Sequence, residues 1–155
     1  MRRPPRLFRL LVIEDDPDRI AIFRTWIPDS IPLVVCSSPG AAIGVVERDG
    51  RNRQGQVYGG LMLDHDLQLQ VRTTSEQELS GTDIVTHIIR HLNTDMPILI
   101  HSMNSAKASP MRTRLEQAGF PVSRIPMADM SQNQLMDWIT ECHEIWQENH
   151  PTPED

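Results

Sequence analysis

Five short, predominantly apolar runs punctuate the chain: LFRLLVIE (7–14), IPLVVCSS (31–38), VYGGLMLD (57–64), MPILIHS (96–102) and VSRIPM (122–127). Each is followed by residues patterned for a helix. A strand with one face in water alternates apolar and polar residues, whereas a nearly continuous apolar run is buried on both faces. Strands that alternate with helices form a parallel sheet with helices covering both sides. The sequence therefore predicts one three-layer α/β domain.

The helical signals agree with that reading. In DPDRIAIFRTWI, Asp16 is placed as an N-cap and Pro17 at the first helical position, with Ile20, Phe23 and Ile27 on one face. Ser38 and Pro39 repeat the signal before AAIGVVERDG, where Ala41, Ala42, Val45 and Val46 form the inward stripe. TDIVTHIIRHL turns Ile84, Val85, Ile88, Ile89 and Leu92 inward, and PMRTRLEQAGF predicts a helix opening at Pro110 and closed by Gly119. The last helix begins at a capping box, Ser131 to Gln134, and offers Leu135, Trp138, Ile139, Cys142 and Trp146 to the sheet. The polar segment 68–80 exceeds an ordinary connection and is expected either to be mobile or to fold over the pocket as a lid.

Composition narrows the function. With 155 residues, 39% of them apolar, the chain has material for one hydrophobic core. Fifteen basic against 21 acidic residues, a net charge of −6, argue against an extended nucleic-acid-binding face. The arginines of MRRPPRLFR read as a solvated arm over 1–6, leaving a domain over 7–150 and a tail over 151–155. No run is long enough to span a membrane and none resembles a signal peptide, so a cytoplasmic location is expected. Cys36 and Cys142 lie in apolar segments without metal-type spacing and read as reduced core residues.

Polar residues gather at the carboxyl ends of the strands: Glu14, Asp15 and Asp16 after the first, Asp64, His65 and Asp66 after the third, and His101, Ser102 and Asn104 after the fourth. Ligands of open parallel sheets bind at those ends. Converging carboxylates repel unless a divalent cation with oxygen ligands neutralises them; Mg²⁺ suits such a site, with Mn²⁺ as the substitute. His65 and His101, titrating near neutrality, are the candidate base and acid for phosphoester chemistry. Along an extended strand His65 diverges from Asp64 and Asp66, so the backbone must turn there. A further stripe, Asp83, His87 and His91 on the third helix, reads as a solvated surface, although two such histidines can bind a transition metal.

At this point the sequence resembles a known family. VIEDDPDR is similar to the acidic motif after the first strand of two-component receiver domains, LMLDHDL to their phospho-acceptor strand, GTDIV to the start of their third helix, and PILIHS to the strand ending in a switch hydroxyl. The resemblance spans about 7–150 and implies a flavodoxin-like sheet of order 2-1-3-4-5. It implies that Glu14 and Asp15 bind metal, that Asp64 is the phospho-acceptor position and that Ser102 is the switch. Receivers also carry a lysine at the end of strand five; here VSRIPM has only Arg124, and Lys107 is the sole lysine of the chain. LDHDL and HSMN instead resemble the cyclic-phosphate processing receiver-like family, whose implied role is phosphoester chemistry. The expected site thus has Glu14, Asp15, Asp64 and Asp66 on a metal, His65, His101 and Asp64 in catalysis, and Ser102, Asn104 and Lys107 on phosphate. Its ligand would be a phosphate ester, such as a nucleotide or RNA end carrying a cyclic phosphate. The alternative is a non-catalytic receiver that signals through a protein partner.

Overall fold

Alternating side chains of the central strands are apolar on both sides, so the sheet is stable only between two layers of helices. The computed structural model describes residues 7–50, 57–64 and 81–150, without the side chains of 81–83. In chain order it contains β1 (Leu10–Ile13), α1 (Pro17–Trp26), β2 (Leu33–Cys36), α2 (Pro39–Gly50), β3 (Gly60–Leu63), α3 (Gly81–His91), β4 (Ile98–Ile100), α4 (Ser105–Gln117), β5 (Val122–Arg124), a 3₁₀ turn (Met127–Asp129) and α5 (Gln132–Asn149). All pairings are parallel, in the order β2-β1-β3-β4-β5. The expected fold is the observed one.

Strand periodicity divides the core in two. Leu11, Ile13, Leu61, Leu63, Ile98 and Ile100 point to one face, where Ala42, Val46, Ile84, Val85, Ile88, Met111 and Leu115 from α2, α3 and α4 cover them. Leu10, Val12, Met62 and Leu99 point to the other, against Phe23 and Ile27 beside α1 and Leu135, Trp138, Ile139, Cys142 and Trp146 of α5. Both cysteines are free and buried, as expected. Each fully buried large side chain contributes about 1.5–3 kcal/mol.

Caps set where the helices start. Asp16 accepts from the N–H groups of Asp18 at 2.8 Å and Arg19 at 3.4 Å, ahead of Pro17. Ser131 and Gln134 complete a reciprocal capping box on α5. The start of α4 differs from the sequence expectation. Asn104 caps it by accepting from Lys107 N–H at 3.2 Å, so the helix opens at Ser105 and Pro110 lies inside. Proline lacks the N–H that Ala106 O would accept, but Ala106 is exposed and water can serve it. Gly119 ends this helix at φ +105°, a left-handed conformation that glycine adopts without strain. On α2 the buried stripe is Ala42 and Val46, with Ile43 and Val45 partly covered and Ala41 exposed. Packing against α3 decides that rotation.

The proposed lid over 68–80, the arm over 1–6 and the tail over 151–155 lie outside the described residues. Among the described residues, no helix is long and apolar enough to cross a membrane.

Candidate acidic site at the carboxyl ends of the strands

The sheet's hydrogen-bond ladder continues one residue past the central strands and delivers the polar side chains side by side. Glu14 N–H donates to Cys36 O at 3.1 Å, Asp64 N–H to Ile13 O at 3.0 Å and His101 N–H to Leu63 O at 3.1 Å. Strand order reverses between β1 and β3, which puts Glu14, Asp15 and Asp64 at the position where doubly wound sheets bind ligands. Tyr58 aside, the buried polar residues of the described chain are Glu14, Asp15, Asp64, His101 and Ser102, all at this end. One ligand atom from each of Glu14, Asp15 and Asp64 lies within 4.8 Å of the others.

Glu14 is the hub. Its Oε2 accepts from the N–H groups of Asp15 at 2.9 Å and Asp16 at 3.3 Å, while Oε1 meets His101 Nε2 at 3.2 Å and Arg19 Nη1 at 3.4 Å. The same Arg19 nitrogen lies 3.6 Å from Asp64 Oδ2, so one guanidinium is shared between the two carboxyls. Burial, then the Glu14 charge, push Asp64 up to about 7. Burial also raises Glu14 against the opposing hydrogen bonds and the Arg19 charge. The two acids titrate as a pair that holds a proton near neutrality when no cation is bound.

His101 behaves differently from the near-neutral imidazole expected. It is completely buried, edge-on to Phe23 with ring centroids 5.1 Å apart, and desolvation lowers its pKa to about 4. Its ring is neutral at pH 7. Nδ1 is buried without a hydrogen-bond partner among the described residues, which assigns the proton to Nε2, donating to Glu14.

The other expected residues divide. Ser102 Oγ accepts from Asn104 N–H at 3.1 Å and Asn104 Oδ1 caps α4, so both side chains shape the loop after β4. Lys107 is exposed in the first turn of α4. Arg124 Nη2 donates to Ser102 O at 3.1 Å and Ser105 Oγ at 3.2 Å, tying β5 to the start of α4. His65 and Asp66 lie outside the described residues. Sequence reading gave Arg19 no role, although its position three residues after Asp16 on the first turn of α1 aims it back at the acids.

Three hard carboxylate donors at this spacing, two of them with raised pKa values, fit a divalent cation such as Mg²⁺. A doubly wound sheet of order 2-1-3-4-5 with buried acids at the β1 and β3 ends defines a receiver-like domain. Residues 10–117 match the sequence model of the cyclic-phosphate processing receiver domain, and the chain belongs to that family. Solved structures agree on the fold. A CheY-like response regulator receiver domain from Methanospirillum hungatei superposes with a TM-score of 0.62 at 16% identity, over 92% of this chain and 98% of that one. The signal receiver domain of a putative Luxo repressor protein from Vibrio parahaemolyticus gives 0.61 at 16% identity, over 94% and 98%. A chain described as adenylate cyclase from Rhodopirellula baltica gives 0.60 at 14% identity, over 91% and 90%. No curated protein matches the sequence significantly.

Proposed function

We propose that this receiver-like domain binds phosphate esters at a divalent cation held by Glu14, Asp15 and Asp64, with Asp66 as a further ligand, and opens cyclic phosphates by hydrolysis. The observation that carries the reading is the convergence of those three buried carboxylates beside His101 and Ser102 in a chain of this family. The cation, Mg²⁺ or Mn²⁺, supplies charge to polarise the phosphoryl oxygen. Arg19, already 3.6 Å from Asp64, is placed to balance phosphoryl charge where receivers use a lysine. In this reading Ser102 and Asn104 of the loop after β4, with Lys107 in the first turn of α4, are the donors to the phosphate oxygens. His65, next to Asp64 in the chain, exchanges the proton of water or of the departing oxygen. His101, neutral and bound to Glu14, is a positioning residue that orients this carboxylate.

A second reading, a receiver acting through protein contacts, is favoured by one observation: the acids are occluded, with Asp15 and Asp64 only 4% and 3% exposed and Arg19 Nη1 3.6 Å from Asp64. Against it, the exposed positions of α4 and α5 are mostly polar and offer no apolar docking face. A panel of cyclic nucleotides, RNA ends carrying cyclic phosphate and generic phosphoesters, with Mg²⁺ or Mn²⁺, distinguishes the two. Binding or opening of a cyclic phosphate that is lost in His65→Ala and Asp64→Asn supports processing. Stoichiometric phosphorylation of Asp64 by a small phosphodonor, with no cyclic phosphate bound or opened, overturns it in favour of signalling.

A further inference from the structure

A second group of potential ligands converges far along the sheet's helical layer: Glu47 on α2 with His87 and His91 on α3. The histidines are four residues apart, so they project from one side of their helix. Their rings are nearly parallel, 14° apart, with centroids separated by 6.0 Å. Glu47 Oε1 lies 3.3 Å from His87 Nδ1. All three side chains are half-buried at the seam between α2 and α3, not on the solvated stripe that the helical pattern predicted. The seam is tight because Gly50, at the end of α2, meets the backbone of α3. A Cβ there would stand 2.4 Å from His91 O. His87 Nδ1 is itself buried and, although close to Glu47, makes no aligned hydrogen bond among the described residues. A buried ring nitrogen without a partner is costly unless something else occupies it.

We propose that Glu47, His87 and His91 form a binding site for a zinc-class transition-metal ion that clips α2 to α3. Two imidazole nitrogens and one carboxylate oxygen are the donor set of borderline ions such as Zn²⁺ and Co²⁺, unlike the all-carboxylate set at the strand ends. Two histidines at i and i+4 on one helix are a spacing such ions accept. Tetrahedral bonds of about 2.0–2.1 Å place ligand atoms roughly 3.3 Å apart. The pair formed by Glu47 and His87 already has that separation, and His91, with its ligand atom within 4.8 Å, closes the set by side-chain rotation. Three protein ligands leave a fourth position for water, as in zinc sites with an open coordination position. Because the ligands come together only in the folded chain, binding stabilises the native state.

The test uses the full chain, stripped with chelator and then saturated with Mg²⁺ so that the acidic site is occupied. Titration calorimetry with Zn²⁺, visible absorption with Co²⁺ and thermal unfolding are read in parallel. The expected result is one Zn²⁺ per chain and a Zn²⁺-dependent rise in Tm. His91→Gln and the near-isosteric Glu47→Gln should each weaken binding at least about 10- to 100-fold, since even loss of an outer-shell partner costs that much. Asp64→Asn should leave it intact. Absence of Zn²⁺ binding in the wild type, affinity unchanged in both His91→Gln and Glu47→Gln, or loss of binding in Asp64→Asn alone would each overturn the site.

Discussion

Replacing Asp64 by asparagine should stabilise the metal-free protein at alkaline pH while abolishing its response to Mg²⁺. The reasoning starts from an acid held at about 7 in the folded chain against an ordinary value of 3.8. The folded value lies above the unfolded one, so the folded state binds the extra proton between about pH 4 and 7. Stability linked to Asp64 is therefore complete below about pH 4, declines as pH rises through about 7, and stays lost above it. At 1.36 kcal/mol for each tenfold, the loss at pH 8 reaches about 4 kcal/mol. Water relaxing around Arg19, whose side chain is 26% exposed, reduces this to about 2–4 kcal/mol. Asparagine has the same shape and carries no charge. Urea unfolding with chelator present should show the variant more stable than wild type by that amount at pH 8, nearly equal at about pH 3.5, with an unchanged m-value. Adding Mg²⁺ at pH 8 should then stabilise the wild type but not the variant. A variant less stable than wild type at pH 8 without metal, or a difference independent of pH, refutes the account of a strained acid pair.

His101 has a folded pKa near 4, below its unfolded value, so the unfolded chain takes up protons first and stability should fall from about pH 6.5 to about pH 4. His101→Gln keeps a donor for Glu14 and should remove that decline, worth about 3 kcal/mol, in acid titrations of the urea midpoint. Arg19→Met removes a charge that lowers the Asp64 pKa, so the carboxyl titration of Asp64 followed by NMR should move upward; an unmoved midpoint would show that the guanidinium does not act on the pair. Trp138, 4% exposed in the layer between α5 and the sheet, should cost about 3–5 kcal/mol when replaced by alanine, read as a drop in urea midpoint. Asn104→Ala removes the cap of α4 and should cost about 0.5–2 kcal/mol, while an unchanged stability would return the start of α4 to Pro110.

Much of this protein was legible from the sequence alone, because strand burial, helix caps and apolar stripes are local patterns. The runs ending in Glu14, Asp64 and Ser102 identified the strands, and parallel pairing brought those ends together without any knowledge of distances. Asp16 with Pro17 and Ser131 with Gln134 marked the helix starts because each cap involves residues two or three apart. Where a local signal competed with another, tertiary structure decided: Asn104 outweighed Pro110 as the start of α4, and contact with α3 turned Ala42 rather than Ala41 inward. The protonation of the site was equally invisible in sequence. Whether His101 is an acid near neutrality or a neutral donor depends on complete burial against Phe23 and Glu14, residues 78 and 87 positions away in the chain. The coupling of Asp64 to Glu14 under Arg19, and the meeting of Glu47 with His87 and His91 across a seam kept narrow by Gly50, have the same origin. A sequence shows which groups can titrate or ligate; desolvation and distance, which set their energies, exist only once the layers are packed.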